Sequence, residues 1–526
     1  MVTSSSWRRL GPAMVVALVA LAAARLALLP GVAFWDTGEL QTVGPVLGTA
    51  HPTGFPTYVL LGWLASVILQ PLGEPALRMN LLSALCVAAA AGITVDLVRA
   101  LTRSTVLAVM AGLGLALTQV AWAIGTHAEA HALHLALVAL LLRLLVAWEG
   151  RARVDGVDGV DGMVRADGRR DRGDRYLVAV AIVFGLSAGN HSLTLLLAPA
   201  IGLYMLAVDP RIWRRGRFVL GCSVALAITI VLLYLELPLR AGVFRAPLVY
   251  GRPDTWDGFW YVALGEQFRG SLVDPFGDLW RKAGELVGRA FAQFGPLAPL
   301  IPIAFVATVA RRPRYALLTG VALGLTCFFA ASYENADIGR YYLVPVLIAW
   351  TWLAILAGVA VHWLTGAAGM PVPPGAKPRH VAWVLAVAIA AGLLAPTILD
   401  ISTRFASVDE SRDRSAAEWT DHALATMARD AVIVSWWSYS TPLWYAQRVE
   451  GRRPDLTIVD DRTRLDEGLG DITDVIDANL GVRPVYVIRS DPNEVALLAV
   501  RYQLEPIDGP DAHDLTRVVA RRVAGT

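Results

Sequence analysis

The chain has 526 residues, of which 56% are hydrophobic and only 17% charged, and its mean hydropathy is +0.52. This balance excludes an ordinary water-soluble globular protein and reads as a polytopic membrane protein. The net charge of +2 gives no reason to invoke nucleic acid, and the three cysteines, Cys86, Cys222 and Cys327, lie inside apolar segments with no metal-ligand spacing.

The N-terminus, SSSWRRLGPAMVVALVALAAARLALLP, has the basic start and apolar middle of a secretory signal. Because many apolar segments follow, it reads as an uncleaved first span, with Arg8 and Arg9 on the cytoplasmic side and the loop 31–78 outside. That loop contains FWDTGELQTVGPVLGTAHPTGFPTY, which sets Asp36, Glu39 and His51 among repeated glycines and prolines close to a bilayer surface. The run Tyr58 to Gln70, about 13 residues, is short for a span. Arginines in 149–175, in RIWRRGR from Arg211 and in RRPR from Arg311 mark three cytoplasmic loops. The parity of the spans meets that requirement only if Tyr58 to Gln70 lies along the outer surface as a juxtamembrane helix.

The layout that follows has about 11 spans, near residues 11–30, 79–101, 104–125, 131–148, 176–190, 192–208, 217–237, 294–310, 314–332, 341–363 and 380–400. The loop 149–175 carries VDGVDGVDGMVRADGRRDRGDR, which has no hydrophobic face and reads as a disordered cytoplasmic linker. An outer loop is expected at 238–293. After the bundle, 1–400, the tail 401–526 is long enough for one small domain. There AVIVSWW, LTIVD and PVYVIRS read as strands and TPLWYAQRVEG as a helix, giving a C-terminal extracytoplasmic α/β domain.

Sorted by side, the polar groups gather on the outer face. Asp36, Glu39 and His51 lie in the first loop, His127, Glu129 and His131 at the next outer turn, Asn190 and His191 at another. Arg240 and Arg245 lie in the large loop, and Arg340 with Tyr341 ends YENADIGRYY. His127 and His131, four apart on an expected helix, have a spacing that can hold zinc, but there is no HExxH pattern and a hydrogen-bonded pair is the preferred reading. Asn190 and His191 either cap two half-helices or face the site. The Trp-rich SWWSYSTPLWY reads as packing.

The order FWDTGEL, AHPTGFPTYVLLGWLASVI and ALRMNLLSAL resembles the GT-C class of membrane glycosyltransferases, most like the protein O-mannosyltransferase-like bacterial family, for which HPPGYP, a short helix and an Arg-Asn-Leu-Leu-Ser entry are typical. THAEAHALHLAL, GLSAGNHSLTLLLAP, IGRYYLVP and WYAQRVEGRRPDLTIVD fit less specifically, and Thr53 departs from the usual proline.

The resemblance implies a GT-C-like bundle in a bacterial cytoplasmic membrane, N-terminus inside. It would transfer a sugar, with mannose as one candidate, from a polyprenyl-phosphate donor to a hydroxyl acceptor on protein, glycan or lipid at the outer face. Asp36 matches the family's acidic base, with Glu39 as second candidate. His51, His127, Glu129, Asn190, His191, Arg240, Arg245, Arg340 and Tyr341 are the substrate-binding candidates. The arginines would hold the departing phosphate. No cofactor is expected; a divalent metal is the open alternative, but no compact oxygen-ligand cluster is evident. A transporter or flippase of a lipid-linked saccharide is the alternative from another class, and it should show internal repeats and charges lining a path to the cytoplasm, which the sequence lacks. A third is a membrane-anchored binding protein worked by its tail.

Overall fold

The computed structural model describes residues 4–157, 173–366, 378–507 and 514–522. They form a helical membrane bundle followed by a tail built on a five-stranded sheet. The first part of the bundle comprises α1 (Ser4–Leu26), α2 (Trp35–Val46), α3 (Pro56–Ile68), α4 (Pro75–Thr102), α5 (Thr105–Ala116), α6 (Gln119–Ala123), α7 (Ala130–Val157), α8 (Asp174–Ala188), α9 (Ala198–Val208) and α10 (Gly216–Tyr234).

At the centre, α4 packs against α1, α5 and α7. It begins with Pro75, whose missing N–H costs nothing in a first turn, and ends where Arg103 turns left-handed at φ 59°. Small residues let its neighbours come close: a Cβ on Gly92 would lie 3.1 Å from the Ala13 carbonyl oxygen of α1. The helix Leu343–Gly366 closes the core from the other side. Its Trp350 lies over Gly114, where a Cβ would come within 2.6 Å of the ring, and donates to Thr118 Oγ1 at 2.9 Å. In contrast α10 leaves Leu220, Val231 and Leu232 more than half exposed, as a lipid-facing helix does.

Helical structure occupies all eleven positions expected for spans. Among the described residues six helices are long and apolar enough to cross a membrane, or seven if the pair Leu279–Leu297 and Leu300–Arg311, bent by 81°, makes one span. The chain is thus a mostly helical, multi-pass membrane protein. With 13 residues, α3 is about 20 Å long, well short of a hydrocarbon core of about 30 Å.

The expected linker at 149–175 needs correction at its start. The helix α7 continues to Val157, because Glu149 is buried, accepts the Tyr204 hydroxyl at 3.0 Å and lies 3.6 Å from Arg314. Residues 158–172 of that segment lie outside the described residues, and α8 begins at Asp174.

In the tail, β1 (Val432–Val434), β2 (Thr457–Val459), β3 (Val485–Ile488), β4 (Tyr502–Pro506) and β5 (Leu515–Arg521) run in the order β2-β1-β3-β5-β4. The strand β1 is parallel to both neighbours, whereas β5 is antiparallel to β3 and β4. As in other parallel sheets covered on both faces, β1 and β3 are apolar and buried along their whole length. The tail is docked on the bundle. Tyr445 accepts the first free N–H of α4, from Ala76, at 3.0 Å, and a Cβ on Gly38 would lie 2.8 Å from Thr441 Oγ1 of the tail.

Candidate functional site

The loop between α1 and α4 is fixed by one buried asparagine. Asn80, near the start of α4, donates to the Leu29 carbonyl at 2.9 Å and accepts from Gln41 Nε2 at 2.8 Å and from the Ala128 N–H at 2.9 Å. Gln41 in turn donates to the Gly31 carbonyl and accepts the Ala33 N–H. The end of α1, the helix α2 and the turn before α7 are therefore tied together by side chains fully removed from water. Arg240 does the same at the far end of α2: its guanidinium donates to the carbonyls of Val46 and Leu47, satisfying orphan acceptors where the helix dipole is negative.

At the near end of α2 sits Asp36. It follows Trp35, which is held at φ 61°, a conformation unfavourable for a bulky residue by about 1–3 kcal/mol. The Trp35 ring meets Trp436 of the tail edge-to-face at 5.0 Å. Asp36 Oδ1 accepts the Trp437 indole N–H at 2.9 Å, and Oδ2 lies 3.4 Å from Arg340 Nη2. The other arm of Arg340, Nη1, donates to Glu129 Oε2 at 2.7 Å, while its Nε has no hydrogen-bond partner among the described residues. Glu129 Oε1 is 2.7 Å from His131 Nδ1. Burial alone would raise the Glu129 carboxyl, but Arg340 and then His131 outweigh it and hold Glu129 well below the usual carboxylate range.

These groups wall a cavity of about 640 Å³ where the first loop, the bundle and the tail meet. Asp36, His51, Glu129, His131, His191, Arg340 and Tyr341 all line it. Burial, then the rings of His131 and His134, pull His191 well below its ordinary value, so it is neutral. Its Nδ1 accepts the Leu193 N–H at 3.2 Å, which places the ring proton on Nε2. It thus caps the short helix Ser192–Leu197 and also faces the site. Phe329, Tyr333 and Tyr341 form an aromatic wall, with Tyr333 and Tyr341 5.5 Å apart.

Other candidates stand elsewhere. Glu39 shares α2 with Asp36 but is turned away from the cavity, into a buried pair with His51: Oε1 accepts the His51 N–H at 2.7 Å and Oε2 is 2.5 Å from Nδ1. Burial would lower His51, but the carboxylates of Glu39 and then Asp36 raise it to about 9. His127 does not share a helix with His131, because α7 starts only at Ala130, and it pairs instead with Glu410 of the tail at 3.0 Å. Asn190 braces the chain by donating to the Ala130 carbonyl at 3.0 Å. Arg245 is exposed and, like Arg240, is absent from the cavity wall. Among the described residues no group of three or more His, Cys, Asp or Glu side chains is arranged to hold a metal ion.

The tail contributes more than the sequence reading of SWWSYSTPLWY as packing suggests. Trp436 and Trp437 follow the carboxyl end of β1, and Asp460, Asp461 and Arg462 follow the carboxyl end of β2; all five line the cavity. The signal for them was their place just beyond two parallel strands, where open α/β sheets carry their ligand-binding residues.

Residues 36–213 match the family model described as "Protein O-mannosyl-transferase TMEM260 N-terminal domain". The chain is 25% identical over 455 residues to the Protein O-mannosyl-transferase TMEM260 of Mus musculus, an alignment covering 82% of this chain and 59% of that relative's length. Its fold matches that of ArnT from Cupriavidus metallidurans bound to undecaprenyl phosphate, with a TM-score of 0.59 at 15% identity over 99% of both chains. The apo form of that protein gives 0.58 at 15% identity over 97% of both chains. In sequence the chain is similar to protein O-mannosyl-transferases, and in fold to ArnT.

Proposed function

We propose that this chain is a membrane glycosyltransferase that moves a sugar, with mannose the first candidate, from a polyprenyl-phosphate donor to a hydroxyl acceptor on a protein, glycan or lipid. The observation that carries the reading is the convergence of Asp36, Arg340 and neutral His191 on one cavity beside the first outer loop. A base, a cation and a neutral donor are what a glycosyl transfer with a phosphate leaving group needs.

In this mechanism the acceptor hydroxyl attacks the anomeric carbon, its proton passes to Asp36, and the bond from that carbon to the phosphate oxygen breaks with inversion. The polyprenyl phosphate leaves as an anion. Arg340 holds that phosphate with the N–H groups that Glu129 and Asp36 leave free, His191 Nε2–H adds a neutral donor, and the aromatic wall of Phe329, Tyr333 and Tyr341 receives the apolar start of the lipid. Glu129 orients Arg340, and Glu39 acts at one remove, by holding His51 in the wall. No metal is assigned a role.

The same proposal includes the topology: about 11 crossings, the N-terminus inside a bacterial cytoplasmic membrane, α3 lying on the outer surface, and 401–526 as an outer domain completing a catalytic bundle of 1–400. The length of α3 supports its in-plane placement. The test is transfer of label from a polyprenyl-phosphate sugar to hydroxyl acceptors in membranes containing the protein. A preparation that binds the donor and transfers nothing would contradict the proposal.

A further inference from the structure

The deepest interaction between the tail and the cavity is the hydrogen bond from Trp437 to Asp36, which joins residues 401 positions apart. Asp36 Oδ2 is already engaged by Arg340, so the indole N–H fixes the second oxygen and with it the plane of the carboxylate. The indole is itself held from three directions. It meets His51 at 5.7 Å and 86°, Tyr250 at 5.6 Å and 89°, and Trp444 at 5.8 Å and 77°, all edge-to-face. These contacts come from the first outer loop, the large outer loop and the tail, and they surround the ring whose N–H meets Asp36. Two of the three groups are anchored in turn: His51 by Glu39 and Tyr250 by its N–H to Thr49 Oγ1 at 2.6 Å.

Resting on the reading of Asp36 as the base, we infer that Trp437 is a positioning residue for the transfer step, and that the tail is therefore part of the catalytic machinery and not an appended binding domain. A base acts only when its oxygen is held within hydrogen-bond reach of the acceptor proton. The Trp437 N–H holds Asp36 from the tail side, while Arg340 approaches from the bundle side, where the phosphate is placed. Removing it should leave donor binding intact and slow the transfer itself.

The test compares Trp437→Phe, which keeps an aromatic ring in the clamp but removes the N–H, with the wild type, using radiolabelled polyprenyl-phosphate mannose and membranes as the acceptor source. The maximal transfer rate should fall about 10- to 100-fold, the range for losing a hydrogen bond to a charged group, while the apparent donor constant changes less than about twofold. Unaltered donor binding also shows that the variant is folded. The same substitution is then made in Asp36→Asn, where a positioned base no longer exists: residual transfer should show no further loss. A wild-type rate in Trp437→Phe, or an equal loss in both backgrounds, overturns the inference and leaves the role of Asp36 standing. A wild-type rate in Asp36→Asn alone instead removes the reading on which the inference rests.

Discussion

Arg340 Nη1 lies 2.7 Å from Glu129 Oε2, and the same guanidinium reaches Asp36 with its other arm. One planar cation thus bridges carboxylates from two different loops, a task that suits the fork of arginine and not the point charge of lysine. Arg340→Lys should therefore raise the apparent donor constant by about tenfold or more and leave the acceptor constant nearly unchanged, as read from initial rates at varied donor and acceptor. Unchanged donor affinity in Arg340→Ala would take this residue out of the phosphate site.

Asn80 carries the structural side of the same loop. Its side chain satisfies three groups from three segments, all fully buried. In Asn80→Ala the Leu29 carbonyl and the Ala128 N–H lose the partner Asn80 gives them without gaining water, at about 1–3 kcal/mol for an unsatisfied group. The variant should melt several degrees lower in detergent and lose activity together with that stability. A melting point within a degree of wild type would mean that the first loop is held by other contacts.

Two buried pairs predict opposite pH limits. His51 is raised from 6.5 to about 9, so the stabilisation from its pairing with Glu39 is complete below 6.5 and is lost as pH rises through about 9. Glu129 is depressed, so its contribution is complete above 4.5 and is lost only as pH falls well below that value. Thermal stability in detergent should accordingly decline between pH 6.5 and about 9 and level off above that. In Glu39→Gln, which removes the main cause of the upward shift, the decline should be smaller and end at lower pH. An identical alkaline profile in that variant would exclude this pair as its source.

The topology can be read with single cysteines in a background lacking Cys86, Cys222 and Cys327. Glu74→Cys, just beyond α3, and Arg252→Cys, in the large loop, are both at exposed positions and should react with an impermeant maleimide added from outside, whereas Arg311→Cys should react only after permeabilisation. Protection of positions 74 and 252 together, with reactivity at 311 from outside, would mean that α3 crosses.

Much of the bundle was legible because hydrophobic segments announce themselves: helical structure falls at each expected span. The motifs around Asp36, Asn80, Glu129 and Arg340 were legible as well, and the structure brings the three charged groups together. What the sequence could not carry was direction. Asp36 and Glu39 are three residues apart on one helix, yet one faces the cavity and the other is buried against His51, which the returning loop brings back onto α2. Trp437 was hidden for a related reason. Aromatic residues in a tail ordinarily pack, and nothing local distinguishes an indole whose partner lies 401 residues earlier. The helix α7 ran past its expected end because a buried carboxylate, Glu149, found a tyrosine on another helix.

The central claim is that Asp36 takes the acceptor proton. Asp36→Asn keeps the shape of the side chain and its ability to accept from Trp437 while removing its basicity, so transfer from a labelled polyprenyl-phosphate sugar should fall by a factor of about 100 to 10,000 with expression and donor binding near normal. Transfer by Asp36→Asn at the wild-type rate would contradict the account.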